Sequence, residues 1–78
     1  MKNRNLNLFT TTHCHLCEQA LNLLAEFNDW SVNTIEIAYN NHLVELYGHR
    51  IPVIQRIDTL AELIWPFSKL EINDFLRD

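Results

Sequence analysis

Apolar positions along this chain change their spacing several times, and each change marks an element. Leu6, Leu8 and Phe9 form a short apolar run, dense enough for a buried central strand. Residues 10–13 carry too many short polar side chains to continue it. Cys17, Ala20, Leu21, Leu24 and Phe27 then recur at helical spacing. They predict a helix capped by Thr12 or His13, running to about Asn28, with that face packed on a sheet. Val32, Ile35 and Ile37 predict a second strand over residues 31–38. Because a helix crosses between the two strands, they should be parallel and form a right-handed βαβ unit.

The second half repeats the alternation with shorter elements. Asn40 or Asn41 can cap a short helix through Leu43, Val44, Leu46 and Tyr47, and Gly48, the only glycine, is placed to stop it. Val53-Ile54-Gln55-Arg56 reads as a third strand and Ala61-Glu62-Leu63-Ile64-Trp65 as a fourth. Residues 57–60 between them carry no Asn-Gly or Asp-Gly hairpin signal. Ser68-Lys69-Leu70-Glu71 is a capping box, and Phe67 before it can staple against Ile72 of the last helix. The predicted order is β-α-β-α-β-β-α, an α/β chain.

Length and charge narrow what such a chain does. Its 78 residues make one domain, 1–78, with no repeat or low-complexity segment. A net charge of −4 argues against a nucleic-acid surface and against polybasic membrane docking. Residues 1–5 are polar and lack the apolar core of a signal peptide, and no run reaches transmembrane length. The expectation is a soluble cytoplasmic protein. In that compartment a permanent structural disulfide is disfavoured, so the two cysteines, Cys14 and Cys17, point to catalysis, redox sensing or metal binding.

Their position favours redox chemistry. A helix N-terminus has unpaired N–H groups and positive dipole potential that stabilise a thiolate, the form that attacks disulfides. Cys17, one turn on, shares the face of Cys14 and is close enough to form a disulfide with it. Three other readings stand beside this one. The pair can be two buried small hydrophobes. It can be the core of a zinc or iron–sulfur site, since His13-Cys14-His15-Leu16-Cys17 is dense in ligands, although one chain lacks a convincing closed set. Or the domain can serve for interaction only. His15 can tune the Cys14 thiolate or be an exposed first-turn histidine. His13 reads as a loop or cap residue, and His42 and His49 as exposed.

The strand-Cys14-His15-Leu16-Cys17-helix arrangement, joined to Arg50-Ile51-Pro52-Val53-Ile54 downstream, resembles the thioredoxin superfamily, and more closely its small bacterial glutaredoxin-like members. The resemblance covers essentially the whole chain. It implies a minimal thioredoxin (glutaredoxin-like) fold with a four-stranded mixed sheet, the third and fourth strands antiparallel to their neighbours. It also implies dithiol-disulfide exchange by Cys14 and Cys17, with His15 modulating. A cis Ile51-Pro52 bond would face the cysteines, with the Ile51 backbone docking an extended substrate. Substrate contacts are expected from Thr12, His13, Arg50, Ile51, Pro52 and Trp65. The expected partner is a disulfide-containing protein or a glutathione mixed disulfide, met by a monomer with no tightly bound cofactor and glutathione as candidate reductant. The stretches by which glutaredoxins hold glutathione depart here: His15-Leu16 stands in place of Pro-Tyr, no Lys lies a few residues before Cys14, Arg50-Ile51-Pro52 stands in place of Thr-Val-Pro, and no Gly-Gly pair precedes the last helix. Arg50 offers a cation, and the capped start at Ser68 offers helix N–H groups to a carboxylate.

Overall fold

A computed structural model of the chain describes residues 4–77. Residues 1–3, the start of the polar N-terminus considered above, lie outside the described residues. The elements follow the expected order: β1 (Asn5–Thr10), α1 (His15–Leu24), β2 (Ser31–Glu36), α2 (Asn41–Tyr47), β3 (Val53–Arg56), β4 (Glu62–Ile64) and α3 (Lys69–Phe75). They build one four-stranded sheet of order β2-β1-β3-β4. β2 runs parallel to β1, whereas β3 is antiparallel to both β1 and β4.

Strand alternation divides the core in two. Leu6 and Leu8 of β1 and Ile54 of β3 face one side, where Ala20 and Leu24 of α1 and Ile72 of α3 complete the larger cluster with Trp30, Phe67 and Leu76. Phe9 and Val53 face the other side and meet Ile37 and Tyr47, the latter from α2. The Phe9 and Tyr47 rings stack with centroids 4.1 Å apart. Side chains in a strand alternate between faces, so one residue's step from Leu8 to Phe9 changes which helix layer is met.

Several boundaries differ from the sequence expectation. Cys14 is the N-cap of α1, in place of Thr12 or His13: its φ of −102° is extended, and its Sγ accepts the Cys17 N–H. His13 cannot fill that place because it is left-handed, with φ 61°. Thr12 cannot because its hydroxyl is engaged with Glu36. α1 ends at Leu24, short of Asn28. There Glu26 and Phe27 donate to Leu23 and Leu24, three residues back, and this tightened turn lets Trp30 return to the core. Leu21, placed on the packed face by spacing, is 39% exposed.

The remaining shifts are smaller. β1 continues through Thr10, because parallel pairing with Glu36 satisfies its backbone whatever its side chain. β2 stops at Glu36 and not at residue 38, and β4 is confined to Glu62–Ile64. Asn40 caps α2 by accepting from the Leu43 N–H. Gly48 does follow this helix, but in right-handed conformation at φ −52°. Glycine is used there for close approach: a Cβ would lie 2.5 Å from the Val44 carbonyl oxygen. Leu60, in the β3–β4 turn, takes the left-handed conformation that no glycine is present to supply. The capping box at Ser68 is formed in both directions. Both Ile51-Pro52 and Trp65-Pro66 are cis, and the second was not signalled by the sequence.

The end of the sheet away from the cysteines is closed by Arg56, which is only 5% exposed. Its guanidinium binds both carboxylate oxygens of Asp58, at 2.9 and 2.6 Å, and donates to the Phe75 and Arg77 carbonyls at the close of α3. It also lies 5.0 Å from the centroid of the Trp30 ring. The charge is therefore paired, hydrogen-bonded and stacked, as a buried arginine requires.

Candidate functional site

β1 carries the chain to one end of the sheet, and the loop after Thr10 turns it into α1. Cys14 stands at the junction, half-buried, and Cys17 lies one turn inside, 3% exposed. The two are joined as a disulfide, with Cα atoms 5.2 Å apart. The Cys17 N–H points at the Cys14 sulfur at 3.2 Å. That donor is one of the helix-start N–H groups with no partner inside the helix, and it would equally stabilise a thiolate at the same atom. Difference in access separates the two sulfurs: Cys14 is approachable and Cys17 is covered.

The loop is held from the side. Glu36, at the end of β2, accepts hydrogen bonds from the Thr12 N–H at 3.0 Å and the Thr12 hydroxyl at 2.8 Å on one oxygen, and from the Ala38 N–H at 3.0 Å on the other. These donors, Ala38 first and Thr12 next, hold the Glu36 carboxyl down to about 2. The sequence reading missed Glu36. Its available signal was an acidic residue at a strand end facing Thr10 in register, and that register is known only once β1 and β2 are paired.

Other expected site residues are distributed as follows. Val53 pairs with Phe9, so Pro52, just before it and buried, lies at the same end of the sheet as the cysteine loop. Trp65 donates its backbone N–H to the Pro52 carbonyl at 3.1 Å and packs edge-on against Phe67, centroids 5.0 Å apart. Pro52 and Trp65 are thereby tied together. Ile51 is half-buried and gives its N–H to the Tyr47 carbonyl at 3.1 Å, so that donor is already used within the chain. Arg50 is exposed in the turn after α2.

The histidines point outward. His15 has 92% of its side chain exposed, with Nδ1 3.8 Å from a Glu18 oxygen, the arrangement of a first-turn surface histidine. His13, His42 and His49 are exposed as well. Among the described residues, no three His, Cys, Asp or Glu side chains are disposed to hold one metal ion. At α3, Glu71 accepts the Ser68 N–H at 3.0 Å, while its own N–H binds the Ser68 hydroxyl at 3.2 Å. The capping box thus uses two of the N–H groups at the start of α3, those of Ser68 and Glu71.

A cysteine pair at disulfide distance, at the β1–α1 junction of this mixed sheet, defines a glutaredoxin-like chain of thioredoxin fold. Comparison with known proteins agrees: residues 5–77 match the Glutaredoxin-like domain (DUF836) family, and the chain belongs to it. Protein XcR50 from X. campestris, solved by X-ray crystallography, is 32% identical over 91% of this chain and 93% of its own, with a TM-score of 0.84. Protein Ne2328 from Nitrosomonas europaea, solved by NMR, is 27% identical over 99% of this chain and 95% of its own, also with a TM-score of 0.84. Thioredoxin 1 from Thermosipho africanus, at 15% identity and a TM-score of 0.57 over 92% of this chain and 85% of its own, shares the fold. No curated protein matches the chain. No helix among the described residues is long and apolar enough to cross a membrane.

Proposed function

We propose that the protein is a dithiol-disulfide oxidoreductase acting through Cys14 and Cys17. The observation that carries this reading is the Cys17 N–H aimed at the accessible Cys14 sulfur from the start of α1. In the reduced protein that donor and the helix dipole favour the Cys14 thiolate. The thiolate attacks one sulfur of a substrate disulfide, and the other sulfur leaves as a thiolate that takes up a proton. Cys17, having lost its proton, then attacks the Cys14 sulfur of the mixed disulfide and releases the second substrate thiol. Two electrons pass from the dithiol to the substrate, and the Cys14–Cys17 disulfide remains. Two molecules of a reduced thiol, glutathione being the candidate, restore the dithiol by the same steps reversed and leave joined as their own disulfide.

The substrate is a disulfide-bearing protein or a glutathione mixed disulfide, docked beside Thr12, His13, the Ile51 carbonyl, Pro52 and Trp65, with Arg50 offering a cation at the rim. The protein acts as a cytoplasmic monomer without a tightly bound cofactor. His15, turned toward Glu18, makes at most a small contribution to the reactivity of Cys14.

The test is a redox titration in buffers of graded reduced-to-oxidised glutathione, with free thiols counted by alkylation and intact mass. A reversible two-electron transition is expected, at roughly −200 to −270 mV, the span of glutaredoxins and thioredoxin. Cys14→Ser should abolish exchange, and Cys17→Ser should accumulate mixed disulfides. Failure to form the intramolecular disulfide, or full exchange activity in Cys14→Ser, would overturn the proposal.

A further inference from the structure

The loop that presents Cys14 has no stiffening residue of its own. Residues 11–14 contain no proline to fix the backbone and no glycine to take the left-handed turn without cost, and His13 sits there at φ 61°, a conformation disfavoured for a residue with a Cβ. Something outside the loop must hold it. The Glu36 side chain does so from the neighbouring strand. β1 and β2 pair up to Thr10 and Glu36, and the Ile37 N–H extends the ladder to the Thr10 carbonyl at 3.0 Å. From there the Glu36 carboxylate reaches across to the backbone and the hydroxyl of Thr12, two residues before Cys14, while its other oxygen is anchored by Ala38.

We propose that Glu36 is a positioning residue of the exchange site, latching Thr12 so that Cys14 is delivered to the N-cap of α1 with its sulfur on the Cys17 N–H. This rests on the assignment of Cys14 as the attacking cysteine. Glu36 bonds to Thr12 and Ala38, and it acts on Cys14 through Thr12. Since its carboxyl is held at about 2, it stays ionised wherever a thiol titrates, and a pH profile of Cys14 is not confused by it.

Two competing roles predict opposite or absent effects. A carboxylate acting on the thiolate through space would disfavour it, so its removal would make Cys14 more reactive. A merely structural carboxylate would change the melting temperature and leave the thiol alone. A positioning carboxylate, once removed, lets Cys14 drift from the Cys17 N–H, so the thiolate is less favoured and the thiol pKa rises.

The experiment measures the pH dependence of iodoacetamide alkylation of reduced protein in wild type, Glu36→Ala, Glu36→Gln and Thr12→Val, with folding checked by circular dichroism. Cys14 is read as the site of fast alkylation by peptide mass. The expected result is a Cys14 pKa higher by about one unit in Glu36→Ala, with alkylation at neutral pH slowed about tenfold by the smaller thiolate fraction. Glu36→Gln should recover part of the loss, because its amide oxygen still accepts both Thr12 donors although the charge is gone. Thr12→Val, which keeps only the backbone arm, should fall between wild type and Glu36→Ala; it carries the test if Glu36→Ala does not fold.

A lowered Cys14 pKa in both Glu36 variants, or an unchanged pKa with only a lower Tm, would overturn the latch. The readout is independent of the proposed activity. Alkylation reports the thiol whether or not the protein exchanges disulfides, so a wild-type protein inert in the glutathione titration sinks the functional reading and leaves this measurement interpretable.

Discussion

The two ends of β1 are secured by different physics. At the Asn5 end, beside Leu6 in register, Arg56 is buried, paired with Asp58, stacked near Trp30 and bound to two carbonyls at the close of α3. At the Thr10 end, Glu36 holds the cysteine loop by hydrogen bonds that lie at the surface. A buried charge that loses its partners is costly, so the first end can open only with the fold. Surface hydrogen bonds compete with water on nearly even terms, so the second can open while the sheet stays intact. The chain thus places Cys14 at the end that yields more readily, and anchors the sheet at the other.

That contrast breaks most sharply at Arg56. Arg56→Met removes the buried charge and leaves the Phe75 and Arg77 carbonyls without their donor, for a loss of about 2–4 kcal/mol. For a domain of this size the melting temperature should fall by roughly 10–20 °C. Cys14 alkylation, measured where the variant remains folded, should match wild type. A variant that slows alkylation without losing stability would erase the distinction between the two ends.

A smaller effect is expected from Tyr47→Phe, on the second face of the sheet. The Tyr47 hydroxyl donates to Glu62 at 2.5 Å, and Gln55 donates to the same oxygen while accepting from Asn7. Phe keeps the stack on Phe9 and loses about 1 kcal/mol. Burial first, and the Glu62 carboxylate next, push the Tyr47 hydroxyl up to about 12. The neutral hydroxyl is therefore the form the fold favours: its contribution is complete below about 10, the unfolded value, and is lost as pH rises toward 12. Denaturant melts at pH 9 and 11.5 should show wild type losing stability over that interval by more than Tyr47→Phe does.

The smallest effect is the acid response of the surface latch. The Glu36 carboxyl lies below its unfolded value because of its hydrogen bonds, and that of Asp58 lies below its own mainly because of the Arg56 hydrogen bond. Depressed carboxyls contribute stability that is present above about pH 4–5 and is lost as pH falls through the folded values. Between pH 5 and 2.5 wild type should lose more stability than Glu36→Gln. Equal slopes would mean that the Glu36 hydrogen bonds are absent in solution.

Most of the fold was legible along the chain because its signals are local. Leu6 and Leu8 announced a buried strand, Ser68 and Glu71 announced a helix start, and the crossing helix between the first two strands required their parallel pairing. The Cys14–Cys17 spacing pointed to the candidate site for the same reason, whereas Pro52 entered it only through the family resemblance. Boundaries were harder to read. The end of α1 at Leu24 goes with the return of Trp30 to the core, and Leu21 is exposed although its spacing matches the packed face. Neither is written in residue spacing.

The sequence by itself determined the order of elements, the motif and the residue types available for exchange, since propensity, capping and periodicity act within a few residues of one another. Tertiary structure alone decided which side chains hold them in place. Glu36 reaches Thr12 across 24 residues, and Arg56 reaches the Phe75 and Arg77 carbonyls across 19 and 21. Such partners are chosen by strand register and by how the helices end. A carboxylate or guanidinium in the sequence shows only that a strong hydrogen-bonding group is present, and the folded chain determines where that group is used.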